Sequence, residues 1–542
     1  MGVYLNSSTA YTLYKNETLK PYFVDKTKLL EELFPLVREG NNHICITRPR
    51  RFGKTVMVNM IASFFSKGCN SSHIFECLNI SNNLEYKEYN NAYPVIQIMF
   101  NELPRRCVSY EQYITRIENI LIEDLKCEYP EISFFEGEAI WDMLQRVWLS
   151  NPEIRFLFVL DEWDYIFHQG FMTEENKMEH IRFLRNLLKD KPYVGLAYMT
   201  GILPIAKYSS GSELNMFLEY TLVTEEKYSK YFGFTKEEVD ELYGRYLEKE
   251  KNVKFSREDL EIWYNGYQTL NGIRLYNPRS VIASFHNNNL GNYWTSSGPY
   301  DEIFYYVKHN IADIREDLAL MVAGFPVPAK VQEYAVSSMN LKTKNEIFSA
   351  MVVYGFLSYE KGYVSIPNKE LMDKFNEMLR KENSLGYIYE LAKESEKMLK
   401  ATLEGDTKEM LRILEFAHNT EIPLLNYNKE SDLTILISLI YLSARDFYRV
   451  EREDKAGIGY VDFIFYPELD KNADCIILEL KVNQTPEKAI EQIKEKQYTL
   501  KFMPKLGEKQ KYTGRILAVG IAYDKETKKH DCKVEVLKEG RK

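Results

Sequence analysis

The sequence predicts an α/β protein of three successive domains: a parallel sheet covered by helices, a mostly helical middle region, and a second α/β domain at the C-terminal end. Three observations carry this. From Tyr22 to Phe167, short apolar runs alternate with amphipathic, helix-like stretches. From about Leu214 the texture turns helical and rich in aromatics. After His418 strand-like runs return, with helical stretches on either side. A chain of 542 residues is too long for one core, since domains usually run to roughly 100–200 residues. The boundaries expected are 1–215, 216–385 and 386–542.

Taken in order, KTKLLEELFPLVREG reads as an amphipathic helix stopped by Gly40, and HICITRP (His43–Pro49) as a short β-rich run. GKTVMVNMIASFFSKG is a helix with Val56, Met60 and Phe64 on its apolar side. YPVIQIMF and YVGLAYMTG are buried strands, and EIRFLFVLDEWDYIF is an almost continuous apolar run that ends in acids. In the middle region, Leu341–Leu371 reads as a helix and then a small hairpin around Lys361 and Gly362. That is the order of a winged-helix-like module, and equally of a helical spacer with a surface hairpin. A helical stretch from about Ser384 to His418 precedes three strands, GIGYVDFIFYP, ADCIILELKV and RILAVGIAYD.

Composition excludes several classes. The hydrophobic share of 45% and charged share of 27% are those of well-packed globular protein. A net charge of -9 argues against a chain that coats nucleic acid non-specifically, while leaving room for a local basic groove. The seven cysteines form no C-x-x-C pair, which argues against zinc ribbons. Their odd number and irregular spacing suggest reduced thiols and a cytoplasmic location. The first twenty residues lack the apolar core of a secretory signal. No stretch reaches the roughly 18–20 apolar residues of a membrane span, so no membrane partner is expected. Leu433–Leu442 reads as a buried helix instead.

TRPRRFGKT (Thr47–Thr55) has the order of a phosphate cradle: strand, loop, then Gly-Lys-Thr opening a helix. Gly53 lets the backbone approach phosphates, Lys54 holds their oxygens, and Thr55 offers a hydroxyl to Mg2+. Arg48 stands where the general pattern has its first glycine. FLFVLDEWD adds the second part. Asp161, at a strand end, suits a metal held through water, and Glu162 suits a group that orients or deprotonates the attacking water.

These stretches, with YMTGILPIAKYSS and WYNGYQ…LYNPRS, resemble the predicted AAA-ATPase-like family of P-loop proteins over roughly the first half of the chain. The R-P-R-R-F-G-K-[ST] loop is specific to that family, so Arg48 departs only from the general pattern. The resemblance implies that Lys54, Thr55, Asp161 and Glu162 carry ATP and Mg2+, and that Thr200 senses the γ-phosphate. Arg50 and Arg51 read either as neutralisers of phosphate charge or as a surface basic loop. Asp164 reads as a cap for the following turn. WYNGYQ and YNPRS read as packed turns, with Arg279 open to a second reading as a phosphate sensor.

In the C-terminal region, Asp462 lies on one strand and Glu479 and Lys481 on another. Side chains alternate along a strand, so Glu479 and Lys481 share a face. If the strands are neighbours, two carboxylates and an ammonium converge. That set, with the Leu480 carbonyl, is what metal-dependent phosphodiester cleavage requires. The block resembles the PD-(D/E)XK nuclease superfamily over roughly the last quarter of the chain. The resemblance places Gln492 on a helix facing the site and Lys496 one turn on, both toward nucleic acid. The family often has arginine between the glycine and aspartate, where this chain has Tyr460 and Val461. Glu430 and Glu453 read as further acids or as surface groups. The lysines of Lys494–Tyr512 read as a phosphate-backbone track or as a solvated helix face.

The sequence thus points to an ATP-binding, Mg-dependent ATP-hydrolysing module coupled to a nuclease-like effector. ATP and Mg2+ are the cofactors implied, and DNA or RNA and a further copy of the chain are the partners left open. The competing reading is an ATP-gated, non-enzymatic scaffold or signalling protein whose nuclease fold is inactive. The acidic balance and Tyr460 favour that second reading.

Overall fold

Five strands rich in Ile, Val, Leu and Phe build the first sheet: β1 (Asn42–Thr47), β2 (Val95–Met99), β3 (Phe156–Asp161), β4 (Val194–Gly201) and β5 (Leu218–Tyr220). They pair in the order β2-β3-β4-β1-β5, every pair parallel. All residues of β3 and β4 are buried, as a parallel sheet covered on both faces requires. The computed structural model describes residues 2–205, 213–223, 226–295, 311–331, 341, 343–419, 430–456, 459–468, 470–503 and 512–540. The chain divides into two units, Met1–Ile303 with Pro328–Glu370, and Phe304–Val327 with Leu371–Lys542.

In the first unit, β4 lies between β1 and β3, so Thr200 near its end sits between the loop after β1 and the acids after β3. The C-terminal edge of such a sheet is where α/β folds open a crevice. The outer edge at β2 is covered. Leu5 bridges Ile96, Asn6 N–H donates to Val95 O, and Gln97 N–H donates to Tyr4 O. The Asp124 carboxylate accepts from the N–H groups of Val3, Tyr4 and Leu5 and so fixes that covering segment.

Helices Lys236–Lys249, Arg257–Tyr264 and α2 (Pro278–Asn287) pack around an aromatic core in the same unit, where Tyr246 stacks on Phe255 at 5.1 Å and on Phe285 at 5.0 Å. Helix α1 (Lys54–Phe65) follows the loop after β1. WYNGYQ is a packed turn. Tyr264 Oη accepts from Gly291 N and donates to Gly291 O, and Gly266, at φ +106°, leaves no room for a Cβ against Pro367 O. In YNPRS, Asn277 caps α2 through Ser280 N–H, and Pro278 begins the helix. Helix Lys344–Tyr354 precedes a hairpin of Ser358–Glu360 and Tyr363–Ser365. The helix is buried from Ile347 to Val352 and again at Tyr354, so it offers no open face of the kind that reads a groove.

The second unit carries a mixed sheet of β6 (Tyr448–Ala456), β7 (Gly459–Pro467), β8 (Cys475–Val482), β9 (Ile516–Asp524) and β10 (Lys529–Lys538), in sequential order. Only β8–β9 is parallel, and helix α3 (Pro486–Glu495) makes that crossover. Gly520 lets α3 approach the sheet, since a Cβ there would meet Pro486 O at 2.4 Å. Helix Glu430–Ile440 contains the buried apolar run expected from sequence, with Leu433, Leu436, Ile437 and Ile440 inside. Among the described residues no helix is long and apolar enough to cross a membrane.

Candidate functional site

The loop after β1 turns on Gly53, whose φ of +89° disfavours any side chain. A Cβ at Gly53 would meet nothing within 4 Å, so the backbone opens onto free space in front of α1. The N–H groups of the first turn of α1 face no helical partner and suit an anion. Lys54 Nζ donates to the carbonyls of Arg48 (2.8 Å) and Pro49 (3.0 Å). Burial holds Lys54 down at about 8, against the attraction of Asp161.

Asp161 ends β3 with no exposed surface. Its Oδ2 accepts from Thr55 Oγ1 at 2.7 Å, its Oδ1 accepts from Thr200 Oγ1, and Glu162 N–H donates to the same Oδ1 at 3.0 Å. Burial raises the Asp161 carboxyl in spite of these donors and of Lys54. Glu162 adopts φ +52° and is also raised, first by burial and then by Asp161. Asp164 acts structurally: its Oδ2 accepts from Ile202 N–H (3.0 Å) and Leu203 N–H (2.7 Å), capping the turn after β4 rather than the turn after β3.

Arg48 lies behind the loop. It is 1% exposed, and its Nη1 donates to Thr47 O (2.7 Å) and Tyr220 O (2.8 Å), tying β1 to β5. Its guanidinium lies over Phe232 at 5.3 Å, and burial lowers it to about 10. The residue in the place of the usual glycine is therefore a buried brace. Phe52, by contrast, anchors the loop forward: its carbonyl accepts from Gly233 N–H (3.1 Å), and its ring meets Tyr267 edge-on at 4.9 Å.

A cavity of about 490 Å3 lies in front of the loop. Arg50, Arg51, Lys54, Thr55 and Glu162 line it. A further part of the wall comes from Tyr22, Phe23 and Val24 of the N-terminal segment, from Tyr231 and Phe234, and from Arg279 and Ile282 of α2; among these the sequence marks Arg279 alone. Lys26 braces this wall through Glu238 and Lys230 O, each at 2.7 Å. The aromatic density of KPYFVDKT was the available signal. The N-terminal part of YMTGILPIAKYSS is described here, whereas residues 206–210 lie outside the described residues.

In the second unit β7 and β8 are antiparallel neighbours, and Asp462 and Glu479 come together. Leu480 N–H donates to Asp462 Oδ2 at 2.7 Å, and Asp462 N–H reaches Glu479 Oε2 at 3.5 Å. Lys481 Nζ lies 3.3 Å from Glu479 Oε1, and Gln492 Nε2 from α3 donates to the same oxygen. Glu479 is 3% exposed, and burial together with the Asp462 charge raises its carboxyl to about 7. Lys496 is exposed at the C-cap of α3, its stem near Gly459. Tyr498 is the residue missed. Its Oη donates to Tyr460 O at 2.5 Å and lies 3.4 Å from Gln492 Nε2, joining β7 to α3. Tyr460 itself is 65% exposed. Glu453 is exposed on β6, the Glu430 side chain lies outside the described residues, and so do residues 504–511 of the lysine-rich stretch.

Both sites offer what hard cations take. Thr55 and Asp161 present paired oxygens beside an open backbone cradle, and Asp462 and Glu479 present two carboxylates whose crowding a cation would relieve. Among the described residues no group of three or more His, Cys, Asp or Glu side chains is placed to hold a metal ion.

Residues 14–210 match the model of the predicted AAA-ATPase family, and residues 433–531 match that of the PD-(D/E)XK nuclease superfamily. The chain therefore joins an AAA-ATPase-like domain to a nuclease-superfamily domain. A curated relative, an uncharacterized protein in the vnfD 5' region of Azotobacter chroococcum mcd 1, is 26% identical over 284 residues. The match covers 51% of each, so the chain spans about half the length of that relative. Among solved structures, a Walker-type ATPase of Pyrococcus abyssi aligns at TM-score 0.34 and 12% identity, over 65% of this chain and 94% of its own. The ORC2 protein of Aeropyrum pernix, in ADPNP–ADP complexes, aligns at 0.32 and 10%, over 65% and 92%.

Proposed function

We propose that the chain binds and hydrolyses Mg-ATP at the loop after β1, and that its C-terminal unit cleaves nucleic acid under control of that nucleotide. The observation that carries the first part is the convergence of Lys54, Thr55, Glu162 and Arg50 on one cavity in front of an open glycine turn. The first-turn N–H groups of α1 and Lys54 hold the phosphates. Thr55 and Asp161 hold Mg2+, which would neutralise charge on the phosphates. Glu162 orients and deprotonates the attacking water, a role its raised carboxyl suits. Thr200 keeps the Asp161 carboxylate in place. Arg51 and Arg279, both lining the cavity, supply further positive charge.

For the second part, Asp462, Glu479 and the Leu480 carbonyl would hold a divalent cation that polarises the scissile phosphate. Lys481 positions the water, and Gln492 fixes the Glu479 carboxylate. Lys496, exposed at the end of α3, supplies charge for the backbone of DNA or RNA. The ATP-gated scaffold is the second reading, favoured by the acidic net charge and by the exposed Tyr460.

Calorimetric titration with ATP and Mg2+ tests the nucleotide reading. Wild type is expected to bind, and Lys54→Ala is expected to lose binding while keeping its unfolding temperature. Equal binding by both would rule the reading out.

A further inference from the structure

Glu370 is a buried carboxylate, 1% exposed, that grips two parts of the cavity wall at once. Its Oε2 accepts from Ser280 Oγ at 2.7 Å, and its Oε1 accepts from the N–H groups of Trp294 (2.6 Å) and Thr295 (3.2 Å). Ser280 directly follows Arg279, which lines the cavity from the first turn of α2. Trp294 lines the cavity itself and packs on Phe356 at 5.6 Å. Beside Phe356, Gly355 sits so close to Pro49 of the phosphate loop that a Cβ would meet its ring at 2.7 Å.

The same residue stands at a boundary. Helix Lys369–Lys381 begins one residue before Glu370, and the chain leaves the first unit for the second between Glu370 and Leu371. Within the second unit the far end of the helix is pinned: Arg380 forms a two-pronged ion pair with Asp446 at 2.6 and 2.9 Å, just before β6. The helix thus opens beside Glu370, and its last turn carries Arg380, paired with Asp446.

We propose that Glu370 is a positioning residue that senses whether the cavity holds a nucleoside triphosphate or diphosphate and passes the difference along helix Lys369–Lys381. This rests on the reading of the cavity as an ATP site. A γ-phosphate attracts Arg279 and draws in the first turn of α2, and Ser280 moves with it. A buried carboxylate shared by a hydroxyl and two backbone N–H groups cannot follow one donor and keep the others at full strength. Glu370 lies in the first turn of helix Lys369–Lys381, so the helix is displaced with it. A diphosphate leaves Arg279 without that attraction, so the two nucleotides bias the helix differently, as coupling between sites requires.

Hydrogen exchange of the full chain, read at amides 371–381, tests this with ADP and with a non-hydrolysable ATP analogue. Wild type is expected to show exchange differing by roughly fivefold or more between the two nucleotides. Ser280→Ala and Glu370→Gln are expected to abolish that difference. Both should keep ADP affinity while losing roughly tenfold in affinity for the ATP analogue. A merely structural role for Glu370 would lower both affinities alike. Ser280→Ala, a small change, stands in where Glu370→Gln fails to fold. The relay is overturned if wild type binds both nucleotides yet exchanges identically at 371–381, or if both variants keep the difference. If wild type binds neither nucleotide in calorimetry, the cavity reading falls, and the relay with it.

Discussion

Thr55 Oγ1 donates to Asp161 Oδ2 over 2.7 Å, joining the first turn of α1 to the end of β3. Thr200 holds the other carboxylate oxygen, so this acid is fixed from the neighbouring strand β4 and from the helix. In the proposed reading Thr55 and Asp161 serve the same cation. Thr55→Ala is expected to weaken Mg-ATP binding by about 10–100-fold, the usual effect of losing a group that orients a metal site. Binding measured in EDTA should change little, because the phosphate cradle and Lys54 remain. Calorimetry with and without Mg2+ separates the two; an equal loss in both would remove Thr55 from the metal site.

Lys54 sits lowered to about 8 because its burial outweighs the attraction of Asp161. Phosphates placed beside it favour the charged form and raise it again. ATP binding should therefore take up protons above pH 8, where free Lys54 is partly neutral, and none near pH 6, where it is already charged. Titrations at pH 8.5 in buffers of different ionisation heat measure that uptake. Lys54→Arg, which stays charged throughout, should abolish it.

Arg48→Gly would restore the general phosphate-loop glycine, yet it is expected to harm the protein. The change removes a buried cation from Phe232, removes a donor from Tyr220 O and opens a void behind the loop. Such losses cost on the order of 3–5 kcal/mol. Chemical denaturation should show the loss, together with weakened nucleotide binding, since the loop whose carbonyls hold Lys54 loses its side-chain tie to β5.

The stretches legible in the sequence were those whose chemistry is local. Gly53-Lys54-Thr55, the Asp161-Glu162 strand end and the Glu479–Lys481 pair each announce themselves within a few residues, and the strand-helix alternation gave the α/β class and the parallel first sheet. What was not legible depends on contacts between distant segments. The burial of Arg48 needs β5 and Phe232, some 170 residues or more away in sequence. The cavity wall needs Tyr22 and Arg279 to meet across the fold. Tyr498 bonds back to Tyr460 only because a short 3-10 turn follows α3, and periodicity does not predict such a turn. The turns WYNGYQ and YNPRS are readable as packing, and the second reading of Arg279 as a phosphate sensor agrees with its place at the cavity.

Glu479 gives a stability test of the second site. Its carboxyl is raised from 4.5 to about 7 by burial and by Asp462. The folded unit thus keeps a proton that the unfolded chain releases, so this contribution is complete below pH 4.5 and is lost as pH rises through about 7. Thermal unfolding without metal should weaken over that window. Glu479→Gln, neutral throughout, should flatten the dependence and raise the unfolding temperature at pH 8 by on the order of 5 °C. Mg2+ or Mn2+ should stabilise wild type at pH 8 and leave the variant unchanged.

The most direct test is cleavage of single- and double-stranded DNA and RNA by the full chain in Mg2+ or Mn2+, with ATP, ADP or no nucleotide. The account predicts cleavage that disappears in Asp462→Ala, and a nucleotide dependence that disappears in Lys54→Ala while cleavage itself survives. Cleavage that is indifferent to nucleotide and to Lys54, or persists in Asp462→Ala, would contradict it.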